Sequence, residues 1–252
     1  MSVPQALGDF FKAHDRLALA FSGGVDSAYL LYAAKKSGCD VHPYYVQSAF
    51  QPAFERSDAA QLANALGVEL NVIPMDILSN EAVRLNPPDR CYHCKKAIFS
   101  ALAARAAADG LPIIIDGTNA TDDAGDRPGM KALRELQVLS PLRLCGIGKD
   151  EVRARSREAG LFTWNKPAYA CLATRIPSGT AITAEALKRV EAAESALFEL
   201  GFSDFRVRLF HGAARLQLPA DQVEAAMARR GELREALLSY FDTILIDTED
   251  RG

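Results

Sequence analysis

The sequence predicts an α/β protein, a parallel sheet covered by helices on both faces, with a smaller α+β unit after it. Three observations predict it. Apolar runs of strand length alternate with amphipathic stretches through the first half, the pattern of strands joined by crossover helices. A Gly-rich turn follows the first apolar run directly. From about residue 170 onward the texture changes to helix, paired strands, helix and strand.

Each element has its own signal. The opening stretch reads as a helix leading into residues 17–21 (LALAF), a continuous apolar run expected of a strand buried on both faces. Residues 26–36 make a helix that stops before Gly38, and 41–46 a second strand. Residues 57–66 form a helix with Gly67 at its C-terminal end, and 68–73 a third strand. An Ala-rich helix over 91–108, closed by Asp109 and Gly110, precedes a fourth strand over 112–116 (PIIID). Beyond the loop at 165–178, a helix at 184–200 leads into FRVRLF, the turn His211-Gly212 and AARLQL, a β-hairpin. A helix over 221–240 and a strand, TILID, complete the chain. The domains are therefore expected at 1–165 and 166–252.

With 252 residues, 49% hydrophobic and 24% charged, the chain is long enough for a full core. Disorder, collagen-like structure and disulfide-stapled miniproteins are excluded. A formal charge of -3 gives no electrostatic case for nucleic acid or an anionic membrane. No window approaches the ~18 apolar residues of a membrane span, and the N-terminus lacks the basic region of a signal peptide. Five cysteines, an odd number, fit a reducing cytoplasm better than a disulfide framework.

The most informative motif is Ser22-Gly23-Gly24-Val25-Asp26-Ser27, set between the first strand and the first crossover helix. Ligands of parallel sheets bind beyond the carboxyl ends of the strands. The glycines allow a sharp turn and close approach of a ligand, and amides at a helix N-terminus favour an anion. A phosphate or pyrophosphate is the expected guest. The motif is neither a Walker A loop, since no Gly-Lys-Ser/Thr follows, nor G-x-G-x-x-G.

SGGVDS after an apolar strand resembles the signature of the PP-loop ATP pyrophosphatases, whose fold is of the adenine nucleotide α-hydrolase type. That resemblance implies ATP cleaved between its α- and β-phosphates. Ser22, Gly23, Gly24, Asp26 and Ser27 would hold the pyrophosphate portion, with Mg²⁺ neutralising its charge. Three further stretches narrow it: residues 86–95 (NPPDRCYHCK), 116–129 (DGTNATDDAGDRPG), and 167–179 with CLATR at their centre. Together they resemble the LarE family of ATP-dependent sacrificial sulfur transferases over almost the whole chain. The resemblance implies adenylation of a pyridinium carboxylate mononucleotide during nickel-pincer cofactor biosynthesis. A protein cysteine then attacks, and its sulfur leaves with the product, converting the residue to dehydroalanine. Cys171 matches that cysteine. The family also implies a homo-oligomer, a hexamer.

The residues weigh independently. Cys171 lies in the inferred loop with Lys166 and Arg175 nearby in sequence to favour thiolate; the plainer alternative is a packed, inert cysteine. Thr118 and Asn119 can hydrogen-bond a nucleotide, and Asp122 or Asp123 can bind Mg²⁺, against an Asx-rich turn capping a helix. Arg90 at a helix start can reach a phosphate, or be a solvated surface residue. Arg206 and Arg208 share one strand face, Arg215 on the partner strand can join them, and such a face suits a substrate phosphate or carboxylate, against an ordinary exposed hairpin; Arg175 is counted with them as substrate-binding. Glu191 and Glu194, one helical turn apart, can contact that arginine face, against the commoner case of solvated helix acids. Cys91 and Cys94 (CxxC) lack the second close pair of a four-cysteine zinc site, and the family resemblance implies helix-start packing and contacts at the substrate's edge for them. The competing functions are thiolation or amidation of another adenylated acceptor such as tRNA, and a nucleotide-binding module without turnover.

Overall fold

The computed structural model describes residues 2–122 and 128–249. They form two compact units: residues up to Asp76 with Asp89–Lys166, and Ile77–Pro88 with the chain from Pro167 onward.

In the first unit the chain runs α1 (Gln5–Ala13), β1 (Arg16–Ala20), α2 (Val25–Lys36), β2 (Asp40–Gln47), α3 (Ala53–Ala65) and β3 (Asn71–Pro74). The short α4 (Glu81–Arg84) belongs to the second unit. The first resumes with α5 (Arg90–Ala108), β4 (Ile114–Ile115), α6 (Pro128–Glu135), α7 (Pro141–Leu144) and α8 (Lys149–Glu158). The four strands are all parallel in the order β3-β2-β1-β4, as the α/β reading requires. Alternation explains why LALAF is apolar throughout. Leu17 and Leu19 pack with Leu30 and Leu31 of α2 and Phe11 of α1, while Ala18 faces Phe99 and Leu102 of α5 on the opposite side.

Several elements differ from the sequence reading. Strand β3 starts at Asn71 rather than at 68. The Val68 amide is spent on the Ala63 carbonyl and the Gly67 amide on Asn64, with Gly67 at φ 63°, a left-handed helix closure that delays the strand. Strand β4 shrinks to Ile114–Ile115. Helices α6, α7 and α8 had no expectation at all. In α8 (KDEVRARSRE) only Val152 and Ser156 are buried, so the apolar period that announces a helix is nearly absent.

The second unit contains α4, α9 (Ala184–Glu199), β5 (Arg206–Phe210), β6 (Ala213–Gln217), α10 (Ala220–Ala228), α11 (Arg230–Leu237) and β7 (Ile244–Ile246). Its sheet runs β5-β6-β7, with β5 and β6 an antiparallel hairpin and β7 parallel to β6. Both turn residues, His211 (φ 49°) and Gly212 (φ 85°), have positive φ, as a two-residue hairpin turn demands. The long helix expected at 221–240 is broken at Arg229 (φ -100°, ψ 22°), whose guanidinium donates to the Leu200 carbonyl at 2.9 Å. Residues 77–88 join this unit through buried Asn86. The Asn86 side chain donates to the Pro177 carbonyl at 2.8 Å, and its own carbonyl accepts from the Gly179 amide at 2.8 Å. No helix among the described residues is long and apolar enough to cross a membrane.

Candidate nucleotide cavity and cysteine loop

At the carboxyl end of β1 the chain turns through Ser22, Gly23 and Gly24 into α2. Gly23 sits at φ 74°, and a Cβ there would lie 3.1 Å from the Ala59 backbone of α3, so only glycine satisfies both demands. Ser22 Oγ accepts from the Gly24 amide at 3.3 Å, and the Ser27 hydroxyl donates to the Gly24 carbonyl at 3.1 Å. No side chain caps α2. Its first amides therefore face the cavity end with the dipole's positive charge, ready for an anion.

The cavity here measures about 340 Å³, within the range of small-molecule sites. Its lining is mixed, apolar from Val46, Ile98, Phe99 and Leu102 and polar from Ser22, Asp26, Ser27, Asp116, Thr118 and Asp122, the combination of apolar surface with a few polar groups that small-molecule sites use. Lys95, Gln51 and Glu55 also line the cavity, and the sequence reading missed all three. Gly117 closes the floor: a Cβ there would lie 2.9 Å from the Ser27 amide nitrogen. Gly117→Ala is therefore expected to displace the cradle and weaken ATP binding by about 1–3 kcal/mol, measured by titration calorimetry.

The predicted cradle residues fall into two groups. Ser22, Gly24, Asp26, Ser27, Thr118 and Asp122 line the cavity, while Gly23 shapes the turn behind them and is not among the lining residues. Asn119 does not: it is buried, its amide donates to Asp26 Oδ1 at 3.3 Å, and its Oδ1 accepts from the Thr121 amide and hydroxyl. It therefore holds Asp26 instead of offering its side chain to a ligand. Thr118 Oγ1 donates to Asp116 Oδ2 at 2.5 Å, and Ser140 to Asp116 Oδ1 at 2.6 Å. Lys149, at the start of α8, reaches Asp26 Oδ2 at 2.5 Å, a contact 123 residues away in sequence. Asp122 accepts from the Asn119 amide at 2.9 Å; Asp123 lies outside the described residues. Arg90 is buried, stacked over Phe50 with its centre 6.0 Å from the ring and donating to Cys91 Sγ at 3.6 Å. That corrects the solvated-arginine alternative.

In the second unit, Cys171 is half-buried and precedes a short 3-10 helix, Leu172–Arg175. Its carbonyl accepts from the Thr174 amide at 3.0 Å and hydroxyl at 2.8 Å. Three guanidiniums hold the loop around it. Arg206 donates to the Ala168 carbonyl at 2.6 Å, Arg175 to the Ala170 carbonyl at 2.9 Å, and Arg208 to the Thr174 carbonyl. A loop with no ladder of its own has carbonyls that need donors, and these arginines supply them. This corrects the expectation of an open arginine face. Arg206 is buried with its other nitrogen on the Phe205 carbonyl, and Arg208 also donates to Gln217.

Arg175 is corrected most sharply. Its side chain is wholly buried and pairs in bidentate fashion with Glu194 of α9, at 2.8 and 3.0 Å. Glu194, read as either a contact of the arginine face or a solvated acid, is 1% exposed. It also accepts from the Val207 amide at 2.9 Å and from the Tyr169 hydroxyl. Burial and the neighbouring Glu194 carboxylate push the Tyr169 phenol far above its ordinary range, so it stays a donor. Lys166, expected to favour a thiolate, pairs instead with Asp58 in the first unit.

The other thiols separate by environment. Burial, then Asp40 and Asp15, pushes Cys39 up to about 11, and burial raises Cys145. Both stay protonated at neutral pH and make poor nucleophiles. Cys91 is exposed and Cys94 half-buried. No group of three or more His, Cys, Asp or Glu placed to hold a metal occurs among the described residues.

Comparison with known proteins agrees with this geometry. The family model of the queuosine biosynthesis protein QueC matches residues 16–84, which contain the cradle. An uncharacterized protein of Synechocystis sp., slr1717, is 37% identical over 96% of this chain and 92% of its own length. The tRNA-specific 2-thiouridylase MnmA of Thermotoga petrophila is 25% identical over 60% of this chain and 54% of its own. The pyridinium-3,5-bisthiocarboxylic acid mononucleotide synthase of Lactiplantibacillus plantarum is 36% identical over 84% of this chain and 78% of its own. With that identity over most of both chains, on a parallel sheet carrying the PP-loop signature, the chain belongs to the LarE family of PP-loop sulfur transferases.

Proposed function

We propose that the protein adenylates a pyridinium carboxylate mononucleotide with ATP and donates the sulfur of Cys171 to it. The observation that carries this reading is the Cys171 loop, whose carbonyls at 168, 170 and 174 are each held by a buried or half-buried arginine. Such immobilisation suits a nucleophile that must meet its target in one geometry.

The chemistry proceeds in three balanced steps. The substrate carboxylate oxygen attacks the α-phosphorus of ATP, pyrophosphate leaves, and an acyl-adenylate forms. The Cys171 thiolate attacks the acyl carbon and AMP leaves, giving a thioester. A base takes the Cys171 Cα proton, the Cβ–S bond breaks, and the sulfur departs as a thiocarboxylate, leaving dehydroalanine. The apolar wall at Val46 and Phe99 receives the base of ATP, and the α2 amides with Ser22 and Ser27 hold the departing pyrophosphate.

Mg²⁺ fits the donor set. Asp122 and Asp26 present hard carboxylate oxygens at the cavity, and one or two carboxylates suffice for an ion that arrives on nucleotide phosphates. When bound, it would neutralise charge on the pyrophosphate. The same reading places the protein in a reducing cytoplasm as a homo-oligomer, a hexamer by analogy with its family.

The test is incubation of the purified chain with ATP, Mg²⁺ and the pyridinium carboxylate mononucleotide. Pyrophosphate release and one thiocarboxylate per chain are expected. Pyrophosphate release only on addition of tRNA would contradict the small-molecule acceptor.

A further inference from the structure

Neither Cys91 nor Cys94 takes part in the three steps of sulfur transfer, yet the fold sets them as a pair. Both are reduced thiols at the start of α5, Cys91 exposed and Cys94 half-buried. Residues three apart in an α-helix have Cα atoms about 5 Å apart, inside the roughly 4.4–6.8 Å that a disulfide spans. Their Cβ atoms stand wider, about 5–6 Å against about 3.8 Å in a disulfide, so a bond requires the first turn to tighten. That turn is built to allow it. No side chain caps α5; the Asp89 carboxylate faces His93 Nε2 at 3.3 Å instead. The Tyr92 amide bonds the Asp89 carbonyl three residues back, at 2.8 Å, the 3-10 pattern in which side chains at i and i+3 eclipse. The same face of α5 runs on into the cavity, since Lys95, Ile98 and Leu102 follow Cys91 at helical spacing and line it.

We propose that Cys91 and Cys94 are a redox-active dithiol that hydrogen peroxide converts to a disulfide, and that the disulfide weakens nucleotide binding in the adjoining cavity. The Cys91 sulfur attacks a peroxide oxygen, the O–O bond breaks, and water leaves with the thiol proton, giving a sulfenic acid. The Cys94 sulfur then attacks that sulfur, the S–O bond breaks, and a second water leaves. The two thiols lose two electrons and two hydrogens, the peroxide becomes two waters, and a dithiol reductant reverses the change. Cys91 is the attacking thiol because it is the accessible one; Arg90 donates to its sulfur at 3.6 Å. A CxxC pair at a helix start is the arrangement that redox dithiols use, and in a reducing compartment such disulfides are transient sensors or catalysts. Tightening the first turn displaces Lys95, the residue after Cys94, and the cavity wall beyond it. This coupling rests on the nucleotide reading, whereas the disulfide does not. Linkage makes the coupling reciprocal, so bound nucleotide opposes the disulfide by the same factor.

The experiment treats the reduced full chain with hydrogen peroxide, then reads its intact mass, its peptide map and its affinity for α,β-methylene-ATP by calorimetry. A loss of two hydrogens, about 2 Da, is expected, mapped to a Cys91–Cys94 link and reversed by dithiothreitol. Cys39 and Cys145, kept as thiols by burial, are expected to stay unreacted. The oxidised chain is expected to bind the analogue at least about fivefold more weakly, and the analogue to disfavour the disulfide by that factor in a glutathione buffer. Cys94→Ser is expected to show neither the mass loss nor the peroxide-dependent fall in affinity. No mass loss, a sulfinic acid at Cys91 without a link, or a link from either thiol to Cys171 would overturn the dithiol. A Cys91–Cys94 disulfide with unaltered affinity would overturn the coupling. Failure of the reduced chain to bind the analogue would overturn the nucleotide reading and the coupling with it, while the mass and the map still decide the disulfide.

Discussion

Cys171→Ala is expected to reduce thiocarboxylate formation to the level of a reaction without protein, while ATP-dependent pyrophosphate release persists. The two halves of the reaction separate because they use different atoms. On the proposed reading adenylation uses the cradle at Ser22–Ser27 and the cavity walls, and Cys171 is not among the residues that line that cavity. Sulfur transfer needs a thiol at 171, and alanine offers neither a nucleophile nor sulfur to donate. Cys39 cannot stand in, because burial and adjacent acids push its thiol up to about 11. Product formation by HPLC and pyrophosphate by a coupled assay would read the two halves. Equal loss of both would mean that Cys171 supports the fold or the adenylation step. The same pair of assays on Cys91→Ser and Cys94→Ser controls for the other accessible thiols.

Glu194→Gln is expected to destabilise the second unit by about 3–5 kcal/mol, because Arg175 would be left charged, buried and without its counter-ion. Glu194 binds four groups at once: two nitrogens of Arg175, the Val207 amide and the Tyr169 hydroxyl. Glutamine keeps the shape but loses the charge and one acceptor. A shift of that size lowers the melting temperature of a unit this small by at least about 12 °C. It is expected to release the Cys171 loop before the rest unfolds, seen as faster amide hydrogen exchange over 168–176 than over β1 and β2. Glu194→Met combined with Arg175→Met is expected to recover much of the loss, since apolar pairs replace buried ion pairs well. If Glu194→Gln melts as wild type does, the pair is not what holds the loop.

How much of this was legible in the sequence depended on the range of the interaction. LALAF and SGGVDS are adjacent, and adjacency alone implies a strand ending in an anion cradle; the parallel sheet agrees. The hairpin at 206–217 was legible because its turn chemistry is local. Strand β3 was misjudged at its start because Gly67 closes α3 with bonds that also consume Val68. The arginines at 175, 206 and 208 were read as open to a ligand because a sequence displays charge without displaying its partner. The Glu194 carboxylate and the loop carbonyls that occupy them lie up to 38 residues away. Lys149 was invisible for the same reason, its link to Asp26 spanning 123 residues. Helix α8 hid it further, being almost entirely polar.

The central claim is that Cys171 gives up its own sulfur, and intact-protein mass spectrometry before and after incubation with ATP, Mg²⁺ and the pyridinium substrate tests it most directly. The account predicts a loss of H₂S, about 34 Da, localised by peptide mapping to Cys171 as dehydroalanine, a product off the reversible oxidation ladder of cysteine. Thiocarboxylate formed with the protein mass unchanged would contradict it.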